Sequence, residues 1–314
     1  MDSPRAPRWS IRLPDLRGTR AVVTGASDGV GTEIARGLVR AGAEVVLPVR
    51  NRAKGEQVAA RIRAEMTDAE VEVVDLDLAD LGSVAGCADT LLADGRPIHL
   101  LVLNAGMIAL GDPVRHTSVD GFELHFQTNH LGHFALASGI LPLLQAGKAR
   151  VTVQSSLAAN FVGIRWDDLQ LERRYSAVQA YGASKVALSL FGLELGRRSA
   201  SAGWGVTTDL AHPGISASTN IAPAALREGR GIGTRIGRML TESVVGGTPA
   251  EASLPALFAV ASPDSTPGAF YGPGGFGHFQ GPPRPQRLHR RLRDEDAAAR
   301  CWAVSEELAG VRLK

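Results

Sequence analysis

A short strand that opens into a helix through a glycine turn constrains the fold of this chain more than any other feature. Residues 21–25 read AVVTG, a β-branched run, and residues 31–42 carry apolar side chains at helical spacing. The turn between them, TGASDGVG (24–31), holds three glycines. Glycines there let the backbone approach a pyrophosphate, which the amino terminus of a helix attracts. The turn predicts a dinucleotide-binding α/β fold. Its G-x-x-x-G-x-G spacing differs from the G-x-G-x-x-G fingerprint, and a glycine-rich loop without a ligand is the alternative.

The rest of the chain continues the alternation of strands and helices. Strands are predicted at 44–49, 71–78, 98–106, 150–156 and 205–214, and helices at 53–66, 81–93, 121–145 and 181–200. Pro48 indicates that the second strand ends there. Several strands are almost continuously apolar, which predicts a doubly wound parallel sheet of about seven strands covered by helices on both faces.

We predict one domain over residues 18–314 after an N-terminal extension, residues 1–17. Segments 220–250 and 272–300 are rich in Gly, Pro and Arg and break the pattern, so they are expected to be lid or substrate loops.

Composition narrows the class of protein. A net charge of +2 over 314 residues gives no reason to expect binding to nucleic acid or to an anionic membrane. Cys87 and Cys301 lie too far apart in sequence for a metal motif or a disulfide framework. The amino terminus lacks the apolar core of a secretory signal, and the most apolar run, 134–144, is too short to span a bilayer. These features predict a cytoplasmic protein.

The segment YGASK (181–185) carries the candidate chemistry. Tyr181 and Lys185 stand four residues apart, so a helix would place them on one face. A free tyrosine has a pKa of about 10, and a neighbouring ammonium favours the phenolate and lowers that pKa. The spacing alone fits both a proton donor with its electrostatic partner and an ordinary turn of a packed helix.

Several motifs in order resemble the short-chain dehydrogenase/reductase family. They are TGASDGVG, NAG (104–106), Asn129 in TNHLGHF, Ser156 in VQSS, and Tyr181 with Lys185. The match covers roughly residues 18–220 and implies a Rossmann-type sheet. TNHLGHF and the 25 positions between Ser156 and Tyr181 resemble the retinol-dehydrogenase-like group.

The resemblance implies the roles of four residues. Tyr181 would act as the acid/base, and Lys185 would tune it and bind the cofactor ribose. Ser156 would hydrogen-bond the substrate oxygen, and Asn129 would hold a water of the proton relay. Ser156 is preferred to Ser155 because the family's serine is the second of this pair.

Two other groups of side chains receive packing roles. Tyr175 is predicted to pack, because no lysine follows it at four residues. His125, His130 and His133 are predicted to be helix-surface or packing residues, and no metal site is expected, since no second cluster of ligands accompanies them.

The resemblance also implies a set of cofactor contacts. They are Thr24, Gly25, Ser27, Asp28, Gly29, Val30, Gly31, Arg50, Asn51, Asp77, Leu78, Asn104, Ala105, Gly106, Tyr181, Lys185, Pro213 and Gly214. Arg50 follows the second strand where NAD binders place an acidic residue, which favours NADPH over NADH. Asp28 argues slightly against NADPH, because many NADP binders have a basic residue in the turn. Asp77 is expected either to contact the adenine or to cap a helix, and Thr219 stands one residue further from the Pro-Gly pair than the family pattern expects.

The predicted function is an NADPH-dependent reduction of a ketone, aldehyde or quinone of a hydrophobic small molecule. The Arg, Ala and Gly bias indicates a GC-rich bacterial genome, which makes a secondary metabolite a candidate substrate. The apolar pocket should come from 157–170, 215–250 and 272–285. Its candidate walls are Met107, Leu110, Phe161, Val162, Phe276 and Phe279. Helices 129–144 and 183–195, dimer faces in many relatives, make a homodimer a candidate assembly.

Two alternatives stay open. One is a quinone reductase that supplies reduced substrate to a partner oxygenase. The other is a redox sensor that binds NADP(H) without turnover, although the complete set of Asn129, Ser156, Tyr181 and Lys185 argues against it.

Overall fold

A mostly parallel sheet organises the chain in the computed structural model, which describes residues 7–110, 112–215 and 247–312. Within those residues its eight strands are β1 (Arg20–Val23), β2 (Glu44–Val49), β3 (Val71–Asp75), β4 (Leu100–Leu103), β5 (Arg150–Gln154), β6 (Thr207–Ala211), β7 (Phe270–Pro273) and β8 (Pro283–Gln286). The strand order is β3-β2-β1-β4-β5-β6-β7-β8, and only the β7–β8 pair is antiparallel. This is the predicted Rossmann-type fold, with an antiparallel edge strand that the sequence had not indicated.

Helices cover both faces of the sheet. The longer ones are α1 (Gly29–Arg40), α2 (Arg52–Glu65), α3 (Leu81–Asp94), α5 (Gly132–Gly139), α7 (Ala177–Ala202), α8 (Pro249–Ala261) and α9 (Glu295–Ala309). Helices α1, α2 and α8 pack on one face of the sheet. Helices α3, α5, α7 and α9 pack on the other. Since both faces are covered, both side-chain rows of the central strands are apolar.

The predicted helix 121–145 is four shorter pieces. They are α4 (Leu124–Phe126), a π-helical segment (Gln127–Leu131), α5, and α6 (Leu141–Ala146). The apolar pattern continues through all four, so it did not reveal the breaks. The π-helical geometry falls on the TNHLGHF motif, and such segments occur often at functional sites.

We had predicted that the second strand ends at Pro48, but β2 continues through this residue to Val49. Pro48 lies inside β2 in register with Val74 of β3, and its carbonyl accepts a hydrogen bond from Gly25 N at 3.3 Å. Proline lacks only the N–H donor, so its carbonyl still serves the turn after β1.

Two segments expected to lie outside the regular fold pack against it. Arg8, in the N-terminal extension, pairs with Glu251 of α8 through Nε at 3.0 Å, and Leu16 joins the core. Segment 272–300 contains β8 and the start of α9. Of segment 220–250, only residues 247–250 fall within the described residues.

A buried carboxylate interrupts the apolar layer between the sheet and α8. Asp209 of β6 is 1% exposed, and no side chain of the described residues hydrogen-bonds its carboxylate. Its neighbour Leu210 lies at the α7 face, so alternation directs Asp209 to the α8 face. Burial raises its pKa to about 6, and the charge of Arg150 opposes that shift.

We expect Asp209→Asn to stabilise the protein in a pH-dependent way. The folded pKa lies above the ordinary value, so the fold favours the protonated acid, and stability is lost as pH rises from about 4 to 6. The substitution should raise the free energy of unfolding by on the order of 2–3 kcal/mol at pH 8 and by about half as much at pH 5. Urea denaturation at both pH values measures this. Asp89→Asn, at an exposed position of α3, is the control, and an equal gain at both pH values would contradict the assignment.

Candidate active site

The site lies at the carboxyl ends of β1 and β4, where the strand order reverses. Open α/β sheets bind ligands at such a switch point. A cleft of about 580 Å³ opens there. Its lining comprises Gly25, Ser27, Asp28, Gly29, Val30, Gly31, Pro48, Val49, Arg50, Asn51, Lys54, Leu76, Asp77, Leu78, Asn104, Ala105, Gly106, Met107 and Thr128. Most of the predicted cofactor contacts therefore surround one cavity.

The glycine turn is packed too closely for larger residues. Gly25 has a φ of +69°, and a Cβ there would come within 2.8 Å of Ala105. A Cβ on Gly31 would overlap the carbonyl of Gly25 and approach Asn104 to 2.6 Å. Asp28 caps α1, its carboxylate accepting a hydrogen bond from Gly29 N at 2.7 Å. The turn thus brings the amino terminus of α1 against the NAG loop.

Thr24 supports the cleft from behind. Its side chain is fully buried, and Oγ1 accepts hydrogen bonds from the N–H groups of Asn104 and Ala105, both at 3.0 Å. Asn104 Nδ2 donates in return to the Thr24 carbonyl at 2.9 Å. Thr24, expected to contact the cofactor, instead positions the loop that lines the cleft.

Two cations stand at the end of β2. Arg50 and Lys54 line the cleft, and neither has a carboxylate within ion-pair distance in the described residues. Asn51 caps α2 by accepting a hydrogen bond from Lys54 N at 3.0 Å. Arg52, between them, is neutralised by Asp75 at 3.0 Å. Lys54 was not predicted as a cofactor contact. It stands four residues after Arg50, in the first turn of α2, and that spacing could have indicated it.

The far wall of the cleft contains a polar atom without a partner. Thr128 Oγ1 is buried and forms no hydrogen bond within the described structure. Asp77, on the same wall, accepts a hydrogen bond from Ala79 N at 2.9 Å, while α3 itself is capped by Asp80. Asp77 thus stabilises the turn before the helix and also lines the cleft. Thr128 was missed, because only the tertiary structure shows that its hydroxyl is unused.

Asn129 connects three parts of the site from the π-helical segment. Its side chain accepts from Met107 N at 2.7 Å and donates to Met107 O at 3.1 Å and Ser184 Oγ at 2.9 Å. The predicted role of holding a water would therefore use atoms that already bind protein groups.

His133 links Asn129 to the turn after β1. Its Nδ1 donates to the Asn129 carbonyl at 3.0 Å, so Nε2 accepts from Thr24 Oγ1 at 3.0 Å. Burial lowers the pKa of His133 to about 4, which keeps the ring neutral as this arrangement requires. His130 packs nearby and bonds Ser305 of α9 at 2.7 Å. The described residues hold no cluster of three or more side chains suited to a metal ion.

Ser156 and Tyr181 lie close together. Ser156 follows β5 and caps a 3₁₀ turn by accepting a hydrogen bond from Ala158 N at 3.2 Å. Ser155, the other candidate serine, is buried and bonds Ser189 at 2.8 Å. Burial raises the pKa of Tyr181, and the nearby Ser156 side chain opposes the rise.

Lys185 lies one turn further along α7. Its Nζ donates to the Gln154 carbonyl at 3.0 Å, and burial lowers its pKa to about 8. A Cβ placed on Gly106 would lie 3.2 Å from Nζ, so the ammonium reaches the edge of the cleft.

A histidine and a glutamate pack behind Tyr181. His125 meets the Tyr181 ring edge-to-face with centroids 6.4 Å apart. Its Nδ1 donates to Glu123 at 2.9 Å and its Nε2 accepts from Ala109 N at 3.3 Å. The pair therefore holds the loop after β4 in place. From its position in the motif, His125 was predicted only to pack or to lie on the helix surface.

The predicted pocket walls are only partly assembled. Val162 packs on Gly182, and a Cβ on Gly182 would overlap Val162. The absence of a side chain at this position of YGASK therefore lets segment 157–164 pack against α7. Of the predicted walls, Met107 lines the cleft. Phe161 and Phe276 do not line it, and their side chains are 77% and 95% exposed. Segment 216–246, including Ser216, Ser218 and Thr219, lies outside the described residues.

The Pro213–Gly214 turn is held by the last two strands. Gly214 has a φ of +72° and donates to His212 Nδ1 at 3.2 Å, while His212 Nε2 bonds Gln286 of β8 at 2.9 Å. Neither Pro213 nor Gly214 lines the 580 Å³ cleft.

A doubly wound sheet with a glycine turn at its switch point and a Ser-Tyr-Lys group beside it defines an NAD(P)-binding oxidoreductase. The model of the short chain dehydrogenase family matches residues 19–230, more than half of the chain. The protein belongs to this family, and its relatives place it with the retinol-dehydrogenase-like members.

The chain is similar both to named proteins, compared by sequence, and to solved structures. Mouse retinol dehydrogenase 12 is 42% identical over 66% of this chain and 63% of its own length. Mouse retinol dehydrogenase 14 is 33% identical over 94% of this chain and 87% of its own length. A crystal structure of an uncharacterized protein from Mycobacterium paratuberculosis is 35% identical, with a TM-score of 0.76 over 96% of this chain and 97% of that one. A metagenomic short-chain oxidoreductase in complex with NADP is 30% identical, with a TM-score of 0.52 over 64% of this chain and 84% of that one.

Among the described residues, no helix combines the length and apolarity needed to cross a bilayer.

Proposed function

We propose that the protein is an NADPH-dependent reductase of a ketone or aldehyde carried by a hydrophobic small molecule, with quinones as further candidates. The observation that carries the proposal is that Ser156 lies beside Tyr181, one helical turn from Lys185, whose Nζ reaches the cleft behind the glycine turn.

The residues of the cleft fit the cofactor. The unpartnered Thr128 hydroxyl supplies a hydrogen-bonding group on the wall beside Asp77 and Leu78, where the adenosine half would lie. Arg50 and Lys54 are unpaired cations at the end of β2, and they would hold the 2′-phosphate that distinguishes NADPH from NADH. The amino terminus of α1 would hold the pyrophosphate.

Tyr181 is the proposed proton donor. Its raised pKa keeps the phenol protonated at neutral pH, which suits donation to a carbonyl oxygen as reduction proceeds. Ser156 would donate a hydrogen bond to the same oxygen and stabilise the charge that develops there. When bound, the cofactor supplies the hydride.

Lys185 is proposed to bind the cofactor ribose. Its Nζ is fixed by the Gln154 carbonyl and reaches the edge of the cleft, which suits a contact with the cofactor ribose. A pKa of about 8 leaves it mostly charged at pH 7. Its second role, as the electrostatic partner of Tyr181, stays the one that the family resemblance implies.

The relatives favour an apolar substrate. Two of them are named as retinol dehydrogenases, and retinol is a long apolar alcohol. An apolar aldehyde or ketone of similar character is the first substrate class to test. Exposed Phe161 and Phe276 stand on two of the three segments from which we predicted the pocket, and they would be available to contact such a molecule.

The proposal is tested by a panel of apolar aldehydes, ketones and quinones, assayed by NADPH oxidation and in parallel with NADH. We expect turnover of at least one apolar carbonyl, with kcat/KM at least tenfold higher for NADPH than for NADH. A preference for NADH would overturn the role of Arg50 and Lys54. Cofactor binding without turnover of any member would favour the redox sensor instead.

A further inference from the structure

The last residue of β5 carries a buried amide that neither the core nor the proposed reaction uses. Gln154 is 4% exposed, and its side-chain Oε1 and Nε2 form no hydrogen bond with any described residue. A buried polar group without a partner costs free energy, so native structures rarely contain one without a reason. A ligand that forms hydrogen bonds with the amide when it binds would be such a reason.

The register of the sheet locates this amide. Gln154 pairs with Ala211 of β6, and because Leu103 pairs with Val153, Asn104 follows next to Gln154 on the other side. Asn104 lines the nucleotide cleft. Gln154 thus sits at the carboxyl edge of the sheet, directly beside a residue of the cleft.

The alternation of β5 shows which face of the sheet the side chain occupies. Val153 lies against Gly192 of α7, so Gln154 points to the opposite face, which α1 and α8 cover. The glycine turn leads into α1 on that face. The main-chain carbonyl of Gln154 meanwhile accepts a hydrogen bond from Lys185 Nζ at 3.0 Å. Gln154 therefore lies on the face that carries the glycine turn and is in contact with the proposed ribose ligand.

We propose that the Gln154 side chain is a hydrogen-bonding ligand of the nicotinamide half of the cofactor. This inference rests on the proposed function. A glutamine amide both donates and accepts, as do the carboxamide of nicotinamide and the hydroxyls of its ribose, so one side chain matches either group. The adenosine half, bound some distance away along the cleft, would not depend on it.

Gln154→Val tests the proposal through binding, measured by isothermal titration. NADPH should bind 5- to 15-fold more weakly, the effect of one lost hydrogen bond, while 2′,5′-ADP should keep its Kd within twofold. The melting temperature of the unliganded variant should rise, because valine removes an unsatisfied amide from the core.

Thr152→Val is the matched control. Thr152 lies two residues earlier on the same strand and face, is fully buried, and also has an unpartnered hydroxyl. Its substitution should raise the melting temperature and leave both dissociation constants unchanged.

The ratio of the two Kd changes decides the outcome. If Gln154→Val weakens NADPH and 2′,5′-ADP equally, or weakens neither, the amide serves the fold and the proposal is overturned. Failure of the wild-type protein to bind NADPH would instead count against the proposed function. If it binds NADH, the same comparison is made with NADH and 5′-ADP.

Discussion

Tyr181→Phe should reduce kcat for an apolar carbonyl by about 10²–10⁴-fold and leave the Kd for NADPH within about twofold. The substitution removes only the phenolic hydroxyl, which is the proposed source of the proton and lies beside Ser156. The ring and its contact with His125 remain, so the site should keep its shape. Single-turnover kinetics with NADPH and fluorescence titration of NADPH measure the two quantities separately.

Tyr175→Phe is the control for this substitution. Tyr175 lies near Tyr181 in sequence, and burial raises its pKa to about 12, but no lysine stands four residues after it. Its loss should leave kcat nearly unchanged. Full turnover of an aldehyde or ketone by Tyr181→Phe would show that another group donates the proton. A quinone reduced directly by hydride is expected to be less sensitive, so the substrate must be a simple carbonyl.

Arg50→Asp should reverse the preference for the cofactor. We expect kcat/KM for NADPH to fall by about 100-fold, since a charge-assisted contact to the 2′-phosphate is replaced by repulsion. The value for NADH should hold or improve, because a carboxylate at the end of the second strand binds the ribose 2′-hydroxyl. Steady-state kinetics at matched salt measures both.

Arg52→Ala separates a specific contact from a general loss of positive charge. Arg52 is two residues away, but its guanidinium is engaged by Asp75 and Glu56. It should change neither cofactor's kcat/KM by more than about twofold. If Arg50→Asp and Arg52→Ala weaken NADPH to the same extent, the local potential and not a direct contact sets the preference.

The features that sequence reasoning recovered are local. The glycine turn, the YGASK spacing and the strand–helix alternation each depend on residues within one or two turns of each other, so periodicity and backbone preference reveal them. They were enough to predict the fold and the family. The family resemblance that these motifs carry implied most of the residues that line the cleft, and it also gave the preference for Ser156 over Ser155, whose hydroxyl bonds Ser189 inside the core.

The features that sequence reasoning missed depend on pairs of residues that lie far apart in the sequence. Thr24 joins His133 across 109 positions, and the free hydroxyl of Thr128 is defined by what does not contact it. Gln154 fell within the predicted strand 150–156 and was assigned no role, since its unsatisfied amide is evident only once its neighbours are placed. The breaks in helix 121–145 were hidden for another reason, because the apolar residues of α5 and α6 continue a pattern that a change of helix type does not interrupt.

The composition of β8 has a consequence for how copies of this protein can associate. Pro283 and Pro285 lack N–H groups, so its ladder with β7 must use the alternate residues, Arg284 and Gln286. The two prolines then face outward, and this border offers no N–H donor there to an incoming strand. Growth of the sheet by addition of a further chain is blocked at this border, which protects against strand-mediated aggregation. A homodimer of this protein would therefore not form by strand addition at the β8 border.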